Sequence, residues 1–149
     1  MRLNNSGYLL ICEFEGLSLK PYLCPANIPT IGYGNTFYSD GSKVTMNDKP
    51  ISKYIAFEMF KVIADDFAKK VSKLITYPLN QNQFNAVVSF AYNVGINSFK
   101  SSTLVKKINI NAFDPTIKDE FLKWNKAKGK VLNGLTKRRE LESEIYFKK

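Results

Sequence analysis

Residues 15–36 read Glu-Gly-Leu-Ser-Leu-Lys-Pro-Tyr-Leu-Cys-Pro-Ala-Asn-Ile-Pro-Thr-Ile-Gly-Tyr-Gly-Asn-Thr, and this stretch decides how the chain is interpreted. The residues just before it are dense in apolar side chains, Ser6 can cap a helix start, and Gly16 suits a left-handed helix stop. The sequence therefore predicts a first helix over about residues 6–15, with Glu15 in its last turn.

A glutamate in the last turn of a helix lies against the negative end of the helix dipole. Its charged form is disfavoured there, so Glu15 is a candidate for an acid that stays protonated. Cleavage of a glycosidic bond needs such an acid, together with a second group on the other face of the sugar. Cys24 and Thr30 are candidates for that second position. The alternatives are a solvated surface glutamate, a buried cysteine filling space and an ordinary strand threonine.

The composition removes several kinds of chemistry. The chain contains no histidine, which excludes serine-histidine and cysteine-histidine triads, histidine general bases and nearly all catalytic zinc sites. Two cysteines, Cys12 and Cys24, are too few for a disulfide framework, and we interpret them as reduced thiols. Acid chemistry therefore falls to carboxylates, and neither a cofactor nor a metal is predicted.

The charge is strongly positive and unevenly distributed. The net charge is +9, and a pI near 9.5 favours a polyanionic partner such as nucleic acid, anionic lipid or an acidic cell-wall polymer. Residues 1–55 hold five basic and four acidic side chains, whereas the remainder holds 17 and nine, so the two parts carry +1 and +8. The excess charge predicts a docking surface in the second part, with a merely soluble lysine-rich surface as the alternative.

Turn residues and apolar spacing predict the remaining elements. Between residues 21 and 50, short apolar pieces alternate with glycines, which predicts a small twisted antiparallel sheet. Ser52 is predicted to cap a long helix that ends before Pro78 and whose apolar face holds Ile55, Met59, Phe60, Ile63, Phe67, Val71 and Leu74. This helix is the expected bridge between two lobes.

After Pro78 the sequence is interpreted as helical throughout. Asn80 with Gln83 predicts a capping box and Gly95 a helix stop. A short helix is expected over about residues 102–110 and a last one over about residues 136–147. Between them, Asp114-Pro115 is predicted to start a helix, and Gly129 and Gly134 to bracket a loop.

The expected fold class is α+β. Residues 1–149 are predicted to form one catalytic domain with a small N-terminal lobe that carries an antiparallel sheet, at about residues 1–55. A long connecting helix leads to a larger all-helical C-terminal lobe, at about residues 56–149. A cleft between two such lobes is a common place for a ligand.

Three separated motifs resemble the phage T4-type lysozyme family, glycoside hydrolase family 24. The family pattern is a glutamate in Glu-Gly-Leu, an aspartate or cysteine nine positions on, and a threonine six beyond that, and Glu15, Cys24 and Thr30 match both spacings. Residues 83–95, Gln-Phe-Asn-Ala-Val-Val-Ser-Phe-Ala-Tyr-Asn-Val-Gly, are similar to the family's core helix. Three further pieces resemble the C-terminal part of the family: Phe-Leu-Lys-Trp-Asn at 121–125, Gly-Leu at 134–135 and Arg-Arg at 138–139.

The resemblance implies roles for individual residues and a lysozyme-like fold. Glu15 would be the general acid, Cys24 stands where most relatives have an aspartate, and Thr30 would help to position the attacking water. Asn93 and Ser102 are expected to line the substrate cleft, and no metal site is implied.

Two departures from the family pattern bear on the site. Asn35 follows Gly-Tyr-Gly where many relatives have a histidine, so any role of that histidine is lost or altered, and Asn35 is counted among the expected substrate-binding residues. Cys24 is a known variant, and its role as nucleophile, water-holder or bystander is left open. Pairing of Cys12 with Cys24 in an oxidising compartment is a further hypothesis, with two inert thiols as its alternative.

The leading function is a muramidase that hydrolyses the β-1,4 bond between N-acetylmuramic acid and N-acetylglucosamine of peptidoglycan. The expected partner is a peptidoglycan glycan strand, with no nucleic acid, no stable membrane insertion and a monomeric state. The expected location is the host cytoplasm, followed by holin-type release to the wall, where the endolysin would lyse the bacterial host. The alternatives are a lytic transglycosylase and a non-catalytic cell-wall binding module.

Overall fold

The computed structural model describes residues 1–149 as seven helices and four short strands. In chain order the elements are α1 (Asn5–Phe14), β1 (Ser18–Leu23), β2 (Pro29–Gly32), α2 (Lys53–Leu74), α3 (Gln81–Val94), α4 (Ile96–Ser101), α5 (Thr103–Ile110), α6 (Ile117–Leu122), β3 (Lys126–Ala127), β4 (Lys130–Val131) and α7 (Asn133–Phe147). This mixed, mostly helical architecture confirms the α+β class. None of the helices is both long enough and apolar enough to cross a membrane.

Helix α1 forms as predicted but with different ends. Asn4, rather than Ser6, caps its start, because the Asn4 side chain accepts a hydrogen bond from the Gly7 amide at 3.1 Å. The helix stops because Glu15 turns to extended backbone, with φ −93° and ψ 127°. The predicted left-handed stop at Gly16 is therefore wrong, and Glu15 lies just outside the helix rather than in its last turn.

Strands β1 and β2 form the predicted antiparallel sheet. Tyr22 pairs with Thr30, and Leu23 pairs with Pro29, so the turn between the strands covers residues 24–28. Within that turn Asn27 adopts φ 63°, a left-handed conformation that asparagine tolerates better than most residues. The hairpin places Cys24 and Thr30 at the same end of the sheet.

Helix α2 begins at the predicted cap, since the Ser52 hydroxyl accepts from the Ile55 amide at 3.1 Å. Its buried face differs in part from the prediction. Met59, Phe60 and Val71 are buried as expected, but Ile55 and Ile63 are exposed. The remaining buried positions of α2 are alanines, at 56, 64 and 68. Small side chains allow close approach between helices, which an apolar count along the sequence does not reveal.

Helix α3 is the centre of the molecule. Nine consecutive residues, from position 83 to position 91, are buried, and α1, α2, α4 and α7 all pack against this helix. The predicted capping box of Asn80 with Gln83 is present, and Gly95 ends the helix with φ 90°. Because α1 and α7 share α3 as a packing partner, the end of α1 comes to lie beside α7.

The C-terminal part departs from the prediction in three places. It is not all-helical, because β3 and β4 form a two-stranded antiparallel ribbon. The helix predicted at Asp114-Pro115 begins later, at Ile117, since the Asp114 carboxylate instead accepts from the Thr116 amide at 2.9 Å and closes a turn. Gly134 lies within α7, which begins before the predicted residue 136.

Candidate active site

Glu15 is positioned by the end of α1 and by α7. Its side chain is 27% exposed, and its Oε1 accepts a hydrogen bond from the Arg138 guanidinium at 3.2 Å. The sequence pattern around residues 6–15 gives no sign of this cation, because Arg138 is far away along the chain. The structure thus gives Glu15 a charged partner that fixes where its carboxyl group points.

Arg138 was not among the predicted site residues, and in the sequence it belongs only to the Arg-Arg pair of the family resemblance. Its side chain is 5% exposed and is held from several sides. One terminal nitrogen donates to the Ser89 carbonyl oxygen at 3.0 Å, and the guanidinium carbon lies 4.8 Å from the centre of the Phe14 ring. A guanidinium restrained in this way holds a carboxylate in one geometry at little further cost in side-chain entropy.

A second buried cluster lies beside the first. Arg139, which is fully buried, donates to Glu142 Oε1 at 2.5 Å and to the Trp124 carbonyl oxygen at 3.0 Å. It also donates to the side-chain oxygen of Asn93. Asn93 is exposed to solvent, as a residue that lines a cleft must be, and its amide nitrogen donates no hydrogen bond within the protein.

Cys24 and Thr30 lie together at the turn of the hairpin. Thr30 is 3% exposed, and its hydroxyl donates to the Ile28 carbonyl oxygen at 2.8 Å. The same carbonyl oxygen accepts from the Cys24 amide at 3.1 Å. The structure therefore brings two of the three predicted catalytic residues into one contact, whereas Glu15 forms no hydrogen bond with either.

The structure gives Asn35 and Ser102 positions that do not favour their predicted contact with substrate. Asn35 is 3% exposed and exchanges backbone hydrogen bonds with Ile31 at 2.9 Å. Ser102 is 4% exposed and caps α5, since its hydroxyl accepts from the Val105 amide at 3.2 Å and donates to the Phe99 carbonyl oxygen at 2.6 Å. Both side chains lie beneath the surface, and the Ser102 hydroxyl is committed to holding a helix start.

The two cysteines are free thiols in different environments. Burial, with a further effect of the Glu15 charge, raises the pKa of Cys12 to about 11. Hydrogen bonding from the Ile28 backbone, followed by a smaller effect of the Ala26 backbone, holds the pKa of Cys24 below its ordinary value. Nowhere in the chain do three or more His, Cys, Asp or Glu side chains cluster as ligands for a metal ion.

This difference predicts selective alkylation. At pH 8 with iodoacetamide, Cys24 should be modified at least about 100-fold faster than Cys12, because only the thiolate reacts and a pKa near 11 leaves about 0.1% of Cys12 ionised. Mass spectrometry over time measures both rates after digestion with a protease that cleaves behind glutamate, because Glu13 and Glu15 separate Cys12 from Cys24. Equal rates for the two residues would contradict the environments described here.

The comparisons with known proteins all point to one family. The family model described as phage lysozyme matches residues 12–142. The endolysin of Bacillus phage B103 is 40% identical over 99% of this chain, which spans 54% of that protein's length. The endolysin of Acyrthosiphon pisum secondary endosymbiont phage 1 is 37% identical, with 98% of each chain covered. A solved structure of a P22 lysozyme mutant superposes with a TM-score of 0.89 at 32% identity and 99% coverage of both chains.

Proposed function

The chain belongs to the phage lysozyme family, and from that premise we propose that it is an endolysin with muramidase activity. Its substrate is the glycan strand of peptidoglycan, and the bond cleaved is the β-1,4 linkage between N-acetylmuramic acid and N-acetylglucosamine. One observation supports the assignment of the acid. Glu15, at the family's glutamate position just after α1, is paired with the nearly buried Arg138 of α7.

In the proposed reaction Glu15 donates its proton to the oxygen that links two sugars. The bond between that oxygen and the anomeric carbon breaks through an oxocarbenium-like transition state. Glu15 becomes a carboxylate at this moment, and Arg138 stands 3.2 Å away to stabilise the new charge. Arg138 therefore acts on the product of proton transfer and also holds the donor in position.

Thr30 and Cys24 supply the second half of the reaction. The Thr30 hydroxyl donates its hydrogen to the Ile28 carbonyl oxygen. The lone pairs of the Thr30 oxygen are then free to accept a hydrogen bond from a water molecule. That water adds its oxygen to the anomeric carbon and releases its proton to the solvent, and Glu15 takes up a proton from the solvent again, so one water is consumed for each bond cleaved. Cys24 lies beside Thr30, where its sulfur can contact the same water.

Two substitutions at Cys24 test this arrangement. Cys24→Asp restores the residue of most relatives and should retain activity, whereas Cys24→Ala should lower the rate of wall hydrolysis by about 10²-fold, the lower end of the range for a general acid or base. Release of soluble fragments from purified peptidoglycan measures both. Full activity of Cys24→Ala would assign Cys24 to the role of bystander.

Substrate contact and delivery complete the proposal. The exposed amide nitrogen of Asn93 is placed to donate to a glycan hydroxyl or acetamido oxygen, while Arg139 fixes the other end of the same amide. The basic C-terminal part suits the carboxylates of muropeptides. The protein would accumulate in the host cytoplasm and reach the wall after holin-type permeabilisation of the membrane, acting as a monomer.

The proposed function is tested by following new reducing ends. Purified peptidoglycan incubated with the protein should become soluble while its reducing-sugar content rises in proportion. Solubilisation with new amino groups and a constant reducing-sugar content would mean that peptide bonds are cut, and would overturn the assignment.

A further inference from the structure

A groove lies between the start of the chain, α1 and α2, and none of the residues assigned to the proposed reaction lines it. One of its walls is formed by the α2 residues Asp65, Ala68, Lys69, Ser72 and Lys73, and we call it the α2 groove. Its volume is about 850 Å³, within the range of about 300–1,000 Å³ that is usual for small-ligand sites. The α2 groove is therefore large enough to hold a ligand separately from the candidate active site.

The α2 groove carries an excess of positive charge. Three cationic side chains line it, those of Arg2, Lys69 and Lys73, against the single carboxylate of Asp65. That carboxylate already accepts a hydrogen bond from the Tyr8 hydroxyl at 2.5 Å. None of the three cations takes part in an ion pair of the chain. The three charges therefore have no anion within the protein that neutralises them.

Two lysines elsewhere on α2 show that this arrangement is not general. Lys61 and Lys70 each pair with an acidic side chain about one turn away, at 2.7 Å. Lys69 and Lys73, by contrast, are four positions apart, so they share one face of the helix, where like charges repel and weaken it. An anion bound in the α2 groove would remove this repulsion.

The α2 groove adjoins a smaller apolar hollow. The hollow has a volume of about 120 Å³ and shares Met1 and Ser72 with the groove. Its other walls include the side chains of Ile75, Tyr77 and Leu79. Apolar surface of this kind is stabilised by covering it with apolar groups. A ligand that occupies both parts should therefore combine negative charge with small apolar groups.

We propose that the α2 groove binds the stem peptides of peptidoglycan, with their carboxylates at Arg2, Lys69 and Lys73 and an alanine methyl group in the apolar hollow. This inference rests on the proposed function, because it concerns a second part of the same substrate. Stem peptides combine free carboxylates with alanine side chains, so they complement both parts. A polyphosphate chain is charged at every unit and has no apolar side chain to cover the hollow.

The role of the α2 groove is to hold the enzyme on the wall. A peptide bound there tethers the protein while the candidate active site acts on a glycan strand. Since the cations are exposed, the attraction should weaken as the ionic strength rises.

The first test is an NMR titration of the full chain with the tripeptide L-Ala-γ-D-Glu-meso-diaminopimelate, which has no glycosidic bond to cleave. The amide signals of Lys69 and Ser72 should shift in a saturable way. In Lys69→Gln/Lys73→Gln the dissociation constant should rise about tenfold, the effect of losing two surface ion pairs near the upper end of their usual strength. A titration that shifts no amide of the α2 groove would overturn the proposal.

The matched control is Lys61→Gln/Lys70→Gln, which removes the same charge from the same helix outside the groove. It should bind the tripeptide as the unaltered protein does, and an equal loss in both variants would overturn the proposal. Inorganic phosphate is the second probe and should leave the amides of Tyr77 and Leu79 unshifted, whereas the tripeptide shifts them. Identical shifts with both probes would mean that the groove takes any anion, and would overturn the assignment to stem peptides.

Hydrolysis measures what the α2 groove does for the enzyme. On intact walls, Lys69→Gln/Lys73→Gln should raise KM about tenfold at unchanged kcat, because it removes binding that does not change during bond cleavage. On glycan strands stripped of their peptides, the variant and the unaltered protein should have equal rates, and an equal loss on both substrates would contradict the tethering role. Failure of the proposed function looks different, since the tripeptide would still bind while the unaltered protein released no reducing ends.

Discussion

Replacing Glu15 with glutamine is expected to lower the rate of peptidoglycan hydrolysis by about 10²- to 10⁴-fold, the contribution typical of a general acid. Glutamine has nearly the same size, and its side-chain oxygen can still accept from Arg138, but it has no proton to give. Binding to purified walls and the thermal unfolding midpoint should change little. The measurement is the initial rate of reducing-end release at several enzyme concentrations.

Glu13→Gln is the matched control for this experiment. Glu13 lies on α1, two residues before Glu15, is exposed and forms no ion pair, so its replacement removes an equal charge without touching the site. Its rate should match that of the unaltered protein. If Glu15→Gln also matched, Glu15 would not be the proton donor, and the site would have to be sought elsewhere in the chain.

Replacing Phe90 with alanine is expected to lower the free energy of unfolding by about 3–5 kcal/mol, the cost typical of emptying a large aromatic site in a core. Phe90 on α3 is fully buried, and its ring packs edge-on against Phe99, Phe121 and Trp124. Its face also lies 4.8 Å from the guanidinium carbon of Arg139. The substitution would therefore remove these aromatic contacts and also the contact of the ring with the buried Arg139 guanidinium.

Urea unfolding followed by tryptophan fluorescence measures this loss, because Trp124 is the single tryptophan and contacts the Phe90 ring. Phe113→Ala serves as the control, since that ring is 65% exposed and its removal should cost well under 1 kcal/mol by the usual behaviour of surface sites. A loss of less than about 1 kcal/mol in Phe90→Ala would show that α3 is not the packing centre described here.

Local signals in the sequence predicted the fold where one residue decides one feature. Ser52, the Asn80 and Gln83 pair, and Gly95 each act through a hydrogen bond or a backbone angle within a few positions, and all three predictions are confirmed. The errors lie where the outcome depends on distant packing. Helix α2 buries alanines where it packs against α3, α4 and β2, and no local pattern in the sequence shows which elements will cover it.

The candidate site shows the same division. The spacing of Glu15, Cys24 and Thr30 identified the family, and the hairpin register explains why the last two residues meet. The pairing of Arg138 with Glu15 could not be predicted, because 123 positions separate the two residues. The packing of both α1 and α7 on α3 brings them together. Their catalytic roles, and the division of the chain into two lobes near residue 55, stay predictions.

If Glu15 drives hydrolysis of the glycosidic bond, an oxygen atom from water must appear on the new sugar end. Purified peptidoglycan is digested in water enriched in ¹⁸O, and the soluble products are analysed by mass spectrometry. We expect fragments that end in a reducing N-acetylmuramic acid carrying one ¹⁸O atom, and no such fragments from Glu15→Gln. Fragments ending in anhydro-muramic acid without the isotope would contradict it and assign a lytic transglycosylase instead.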